Sequence, residues 1–465
     1  MSKRKNAVLT IALASALVLP AAAQAEDGDY GFWDTLYYLI WPKAPDNPVT
    51  PAQRSGNYPL LSNPASFNDG FKAGAYGNWQ TVQLAPGTGA VCGDGSPYKF
   101  FVNRAANTSN TLIYMEGGGV CSDYATCTGK SEWGARNPNG IPDDYMSLFN
   151  PGASLVSPFV TRVSPFEGIK TQNWNLVYVP YCTGDEYTGD KVAVYTDPTG
   201  EHPDPLVYHH NGLRNQRAIV SWLKDNLQRP AQMVATGCSA GGAGSFANYH
   251  HMRRDIAPNR GFLLNDAGPL FDAPVGGDPR RYPSLPIHNH LRSSLNLPAV
   301  MNYFRADMPG IDPNNIGSLM PALANKYPND RFGIAYFWQD MNYSTYSYQN
   351  FYDDIIHAPD TPSRNARIHD RWITDTRNMQ ATLDKLPNYG YYNPQYRDLN
   401  MSHCSMIVDF KNGDIQEKNL ELRDFINNVL DGSGPVMKAS EKDDTADHAK
   451  PFNLLYYLVN QLLGV

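Results

Sequence analysis

Five short apolar runs punctuate the middle of the chain, at residues 111–115, 175–180, 233–236, 261–264 and 332–337, and longer stretches of mixed apolar and polar positions separate them. Runs of this length without polar alternation read as strands buried on both faces, and the stretches between them as helices. The pattern predicts an α/β fold over residues 76–430: a mostly parallel sheet covered by helices on both faces.

The two ends of the chain follow different rules. Lys3, Arg4 and Lys5 precede an apolar run at 7–19 and a small-residue site, Ala23-Gln24-Ala25, so residues 1–25 read as a secretory signal peptide. Residues 26–75 read as an N-terminal extension, with an aromatic patch at 32–41 followed by a Pro-, Asn- and Ser-rich run. Residues 431–465 read as a linker of Gly, Ser, Lys and Asp leading to an apolar segment at 452–465. The tetrapeptide Leu-Tyr-Tyr-Leu occurs in both end segments, at 36–39 and 455–458. These segments pack on the body, or they dock to a membrane, a polymer or another subunit.

Charge narrows the range of partners. With 38 Lys+Arg against 45 Asp+Glu the formal net charge is −7, and no basic cluster stands out, so nucleic acid is not an expected partner. Only 18% of the residues are charged while 42% are hydrophobic, which excludes a chain disordered throughout. Export to a periplasm or the extracellular space changes the meaning of the six cysteines, Cys92, Cys121, Cys127, Cys182, Cys238 and Cys404. An even number in an oxidising compartment points to three disulfides, and the absence of a C-x-x-C pair argues against zinc.

The strongest chemical signal is Gly237-Cys238-Ser239-Ala240-Gly241, a G-x-S-x-G between a strand-like and a helix-like run. That context puts a serine on a tight strand-to-helix turn with its hydroxyl above the sheet, as in an α/β-hydrolase, and makes Ser239 the candidate nucleophile. The N–H of Ala240 is then one oxyanion donor, and the glycine loop Gly117-Gly118-Gly119 after the run at 111–115 offers others. The acid and the base should follow the serine in that order. His403 is the candidate base among eleven histidines, and Asp340, beyond the run at 332–337, is preferred to Asp266 as its partner. Cys238 directly precedes Ser239 and Cys404 directly follows His403, so a Cys238–Cys404 bridge would staple base to nucleophile.

Three motifs in order, LIYMEGGGVC at 112–121, VPYCTG at 179–184 and GCSAGG at 237–242, resemble the pectin acetylesterase/Notum family of secreted α/β-hydrolases, over about residues 80–410. The resemblance implies a serine esterase with neither metal nor organic cofactor, acting on acyl esters of polysaccharide or on a lipid acyl ester of a protein. It implies Ser239, Asp340 and His403 as the triad, Gly118, Gly119 and Ala240 as oxyanion donors, and Cys92–Cys182 and Cys121–Cys127 as the remaining bridges. The expected partner is an acylated polysaccharide or another ester. A polyester depolymerase, a secreted serine peptidase and a non-catalytic glycan or acyl-partner binding protein are the alternatives.

Overall fold

In the computed structural model of the chain, residues 75–463 are described, except 130, 132–133, 147–155, 162–167, 412 and 443–452. The signal peptide expected at 1–25 and the aromatic patch at 32–41 lie outside the described residues.

Among the described residues nine strands form one sheet. At one edge β1 (Trp79–Gln83) pairs antiparallel with β2 (Lys99–Asn103), and β2 runs antiparallel to its inner neighbour as well, β4 (Asn175–Val179). From there every pairing is parallel, through β3 (Thr111–Met115), β7 (Gln232–Cys238), β8 (Arg260–Asp266), β9 (Arg331–Ala335), β10 (Tyr389–Asn393) and β11 (Lys438–Ser440). The order across the sheet is β1-β2-β4-β3-β7-β8-β9-β10-β11. Every residue of β3, β4 and β9 is buried, which requires cover on both faces and explains why these strands read as unbroken apolar runs. A separate antiparallel pair, β5 (Lys191–Tyr195) and β6 (Leu206–His210), stands outside the sheet.

The helices that matter most for the site pack on its central strands. The elbow helix, Ala240–Asp255, contacts β3, β7 and β8, and the helix Leu422–Asp431 contacts β8, β9 and β10. The second of these starts from a capping box at Glu421 and stops at Gly432, whose φ of 64° ends the helix in the left-handed conformation.

Residues 431–450, read as linker from composition, contain the last strand. Ala439 is buried, and the carboxylate of Glu441 accepts the backbone N–H groups of Gln395 at 2.6 Å and Gln416 at 2.7 Å, so the polar residues serve as anchors of a sheet edge. β10, with sequence YGYYN, is invisible to an apolar count; Tyr389 stacks on Phe332 of β9 with ring centroids 5.5 Å apart.

Candidate active site

All the candidate residues leave the sheet at the C-terminal ends of parallel neighbours: the glycine loop from β3, Ser239 from β7, Asp266 from β8, Asp340 after β9 and His403 after β10. This is the end at which open α/β sheets bind ligands.

Ser239 has φ 56° and ψ −124°, a strained conformation for a residue with a side chain. Its N–H donates to the Asp266 carbonyl at 2.8 Å and its carbonyl accepts from Ala243 N–H at 3.0 Å, so the turn is tied on both sides. The glycines around it are demanded by close approach. A Cβ on Gly241 would strike the Met115 carbonyl at the end of β3, and one on Gly117 would lie 2.7 Å from the Cys238 carbonyl oxygen and 3.3 Å from Ser239 Cβ. The glycine loop therefore lies directly against the serine, and among the described residues no backbone carbonyl accepts the N–H of Gly118 or Gly119.

That loop is anchored from beneath by a residue the sequence did not mark. The Glu116 carboxylate is buried, accepts from Tyr145 OH at 2.7 Å and Tyr181 N–H at 3.0 Å, and pairs with Arg136 Nε at 3.1 Å. Such a buried ion is stable only with this density of partners. The only early hint was its place directly before three glycines.

His403 and Asp340 are both buried, and His403 Nδ1 lies 2.8 Å from Asp340 Oδ2. The second oxygen of Asp340 accepts the Tyr343 N–H at 2.9 Å, which caps the helix Met341–Tyr348 and fixes the carboxylate plane. A carboxylate at Nδ1 leaves Nε2 as the ring's proton-accepting nitrogen. The Ser239 and His403 side chains are not joined by a hydrogen bond in this structure among the described contacts. The Cys238–Cys404 bridge brings their neighbours together, with Cα atoms 5.6 Å apart. One ring nitrogen of His403 and the two sulfurs lie within 4.8 Å of one another. Joined sulfurs present no thiolate, so this cluster is a staple and not a metal centre.

Asp266, the rival acid, is occupied elsewhere. Oδ1 accepts from Ser405 N–H at 2.7 Å and Ser405 Oγ at 2.8 Å, and Oδ2 from Met406 N–H at 2.7 Å. Burial raises its pKa, opposed by these hydrogen bonds. Asp266 thus holds the backbone that follows His403. Two further bridges, Cys92–Cys182 and Cys121–Cys127, pin the segments around the glycine loop and the end of β4.

A mostly parallel sheet with a strained serine elbow and a histidine–aspartate pair at its C-terminal end defines an α/β-hydrolase-like protein. Residues 71–278 match a family model described as Pectinacetylesterase. Pectin acetylesterase 11 of Arabidopsis thaliana is 32% identical over 163 residues, 34% of this chain and 37% of that protein. Palmitoleoyl-protein carboxylesterase notum1' of Xenopus laevis is 26% identical over 162 residues, 34% of this chain and 29% of that protein. The matches therefore span about a third of the length of these two curated relatives, 37% and 29%. The solved structure of the Wnt deacylase Notum from Drosophila shares the fold, with a TM-score of 0.51 and 16% identity, covering 80% of this chain and 99% of that chain. Through residues 71–278 the chain is thus similar to pectin acetylesterases and, more distantly, to Notum carboxylesterases.

Proposed function

We propose that the protein is a secreted serine carboxylic-ester hydrolase that removes small acyl groups, acetyl foremost, from polysaccharide. The observation that carries this reading is the 2.8 Å His403–Asp340 contact, joined through Cys238–Cys404 to the strained elbow at Ser239. The names of the relatives, pectin acetylesterase and palmitoleoyl-protein carboxylesterase, support ester chemistry and leave acetylated glycan as the substrate class nearest to the most similar of them. The basic and apolar N-terminal run and three disulfides support secretion.

In this mechanism His403 Nε2 takes the proton of Ser239 as Oγ bonds to the ester carbonyl carbon. The oxyanion receives the N–H groups of Ala240, Gly118 and Gly119, and loss of one such donor typically costs about 3–4 kcal/mol in the barrier. His403 then returns the proton to the departing alcohol. Water, deprotonated by the same ring, releases the acid from the acyl-enzyme and restores the serine. Asp340 holds the ring and stabilises its charged form.

The test is fluorophosphonate labelling with peptide mapping, beside turnover of p-nitrophenyl acetate and acetylated pectin. A label on Ser239, with turnover reduced about 10⁴-fold or more in Ser239→Ala, is the expected result. A folded protein that neither labels nor turns over any ester would overturn the reading in favour of a binding role.

A further inference from the structure

The loop that carries His403 has almost no regular structure of its own. Asn400, Met401, Ser402, Cys404 and Val408 all have positive φ, between 49° and 65°. Its shape must therefore be imposed by what packs against it. Part of that mould is the helix Leu454–Leu463, far beyond the segment matched by the family model.

The helix meets the loop at both ends. At the entry, Asn460 Oδ1 accepts the Asn400 N–H at 2.9 Å and Asn460 Nδ2 donates to the Asp398 carbonyl at 3.2 Å. At the exit, Tyr456 OH donates to the Lys411 carbonyl at 2.6 Å and also reaches the Asp409 carboxylate. Between them the Tyr456 ring lies 5.4 Å from the guanidinium of Arg397, which is fully buried. Arg397 in turn donates to the Ser405 carbonyl at 2.9 Å and to the Cys404 carbonyl, directly after His403. Tyr456 also belongs to a small apolar cluster with Ala267, Leu399, Cys404 and Ile407, against which Cys238 packs.

We propose that Tyr456 and Asn460 are positioning residues: the C-terminal helix clamps both ends of the His403 loop and, through Arg397, sets where the imidazole stands relative to Ser239. The proposal rests on the esterase reading above. A displacement of about 1 Å in a catalytic group is enough to lower a rate about 100-fold, so a brace remote from the substrate can control turnover without touching it.

The experiment uses the full-length protein and p-nitrophenyl acetate. Tyr456→Ala and Asn460→Ala are expected to lower kcat about 10- to 100-fold with KM little changed, and to slow fluorophosphonate labelling of Ser239 in parallel. Tyr456→Phe, which keeps the ring beside Arg397 but removes the hydroxyl that holds Lys411 and Asp409, should recover only part of the loss. Tyr457→Ala, at a neighbouring half-exposed side chain, should leave kcat unchanged. Wild-type kcat in both alanine variants overturns the proposal, as does a loss that follows a fall in melting temperature and is shared by Tyr457→Ala. Should Tyr456→Ala fail to fold, Asn460→Ala decides alone. A folded wild-type protein that neither labels nor turns over ester would instead overturn the esterase reading, and turnover retained in Ser239→Ala would overturn Ser239 as its nucleophile, so these failures are distinguishable from that of the brace.

Discussion

The two halves of the site are held by different forces. The serine half is built from backbone: adjacent strands β3 and β7 deliver the glycine loop and Ser239 side by side, and glycines permit contacts that any side chain would block. The histidine half is built from side chains: Asp340, Asp266, Arg397, Tyr456, Asn460 and one disulfide surround a loop of left-handed residues. The first kind of order arises with the sheet itself. The second must be assembled from distant parts of the chain, and each of them is a separate point of failure.

The sharpest way to break this contrast is Asp340→Asn. The amide keeps the volume but reverses the hydrogen-bonding role opposite Nδ1, so kcat should fall about 10⁴-fold, while fluorophosphonate labelling falls with it and the melting temperature does not. A drop of less than about tenfold would assign the acid's role to another group.

The next largest effect is expected for the double variant Cys238→Ala, Cys404→Ala. Loss of a bridge closing a loop of this length costs about 2–5 kcal/mol of stability, read by urea or thermal denaturation. Hydrogen exchange should accelerate across 399–408 and stay slow across 237–244. Equal acceleration in both segments would show that the serine half depends on the bridge as well.

The smallest effect concerns pH and lies on the serine side. The loop after β4 carries Asp185 and Glu186, and the backbone carbonyl of Glu186 lies close to Gly244 of the elbow helix. Burial, and for Glu186 the neighbouring Asp185, push both carboxyls up to about 7. With a folded pKa above the unfolded one, the folded state holds its proton longer. Stability should then decline from about pH 4.5 to about pH 7 and level off above. Glu186→Gln removes one titration, so it should stabilise the protein at about pH 8, by about 1–3 kcal/mol, and change little at about pH 4. Melting curves at the two pH values check this; an equal shift at both would mean that the introduced amide acts through packing alone.

What could be read in the sequence follows the same division. Where backbone geometry dictates residue type, the signal is local: Gly237 to Gly241 announce the elbow, and the buried strands β3, β4, β7, β8 and β9 show as apolar runs. Asp340 and His403 could be chosen because strand order limits where an acid and a base can emerge. The supports could not be found this way. Glu116, Asp266, Arg397 and Tyr456 are ordinary residue types whose roles come from partners that are, for the most part, distant in sequence. β10 and β11 were hidden for a related reason: tyrosine and lysine side chains obscure strands whose stability comes from pairing with a formed neighbour.

The connectivity of the three bridges has a consequence for biogenesis. Cys92–Cys182 and Cys121–Cys127 lie wholly within the first part of the chain, whereas Cys238 and Cys404 are 166 residues apart. In a chain threaded amino end first into an oxidising space, the four early thiols can consume one another before Cys404 arrives. Cys238 is left as the single thiol awaiting a partner, so mispairing is limited by the order of arrival. The last crosslink to close is then the one beside Ser239 and His403, so the proposed site is completed only after residue 404 has been delivered.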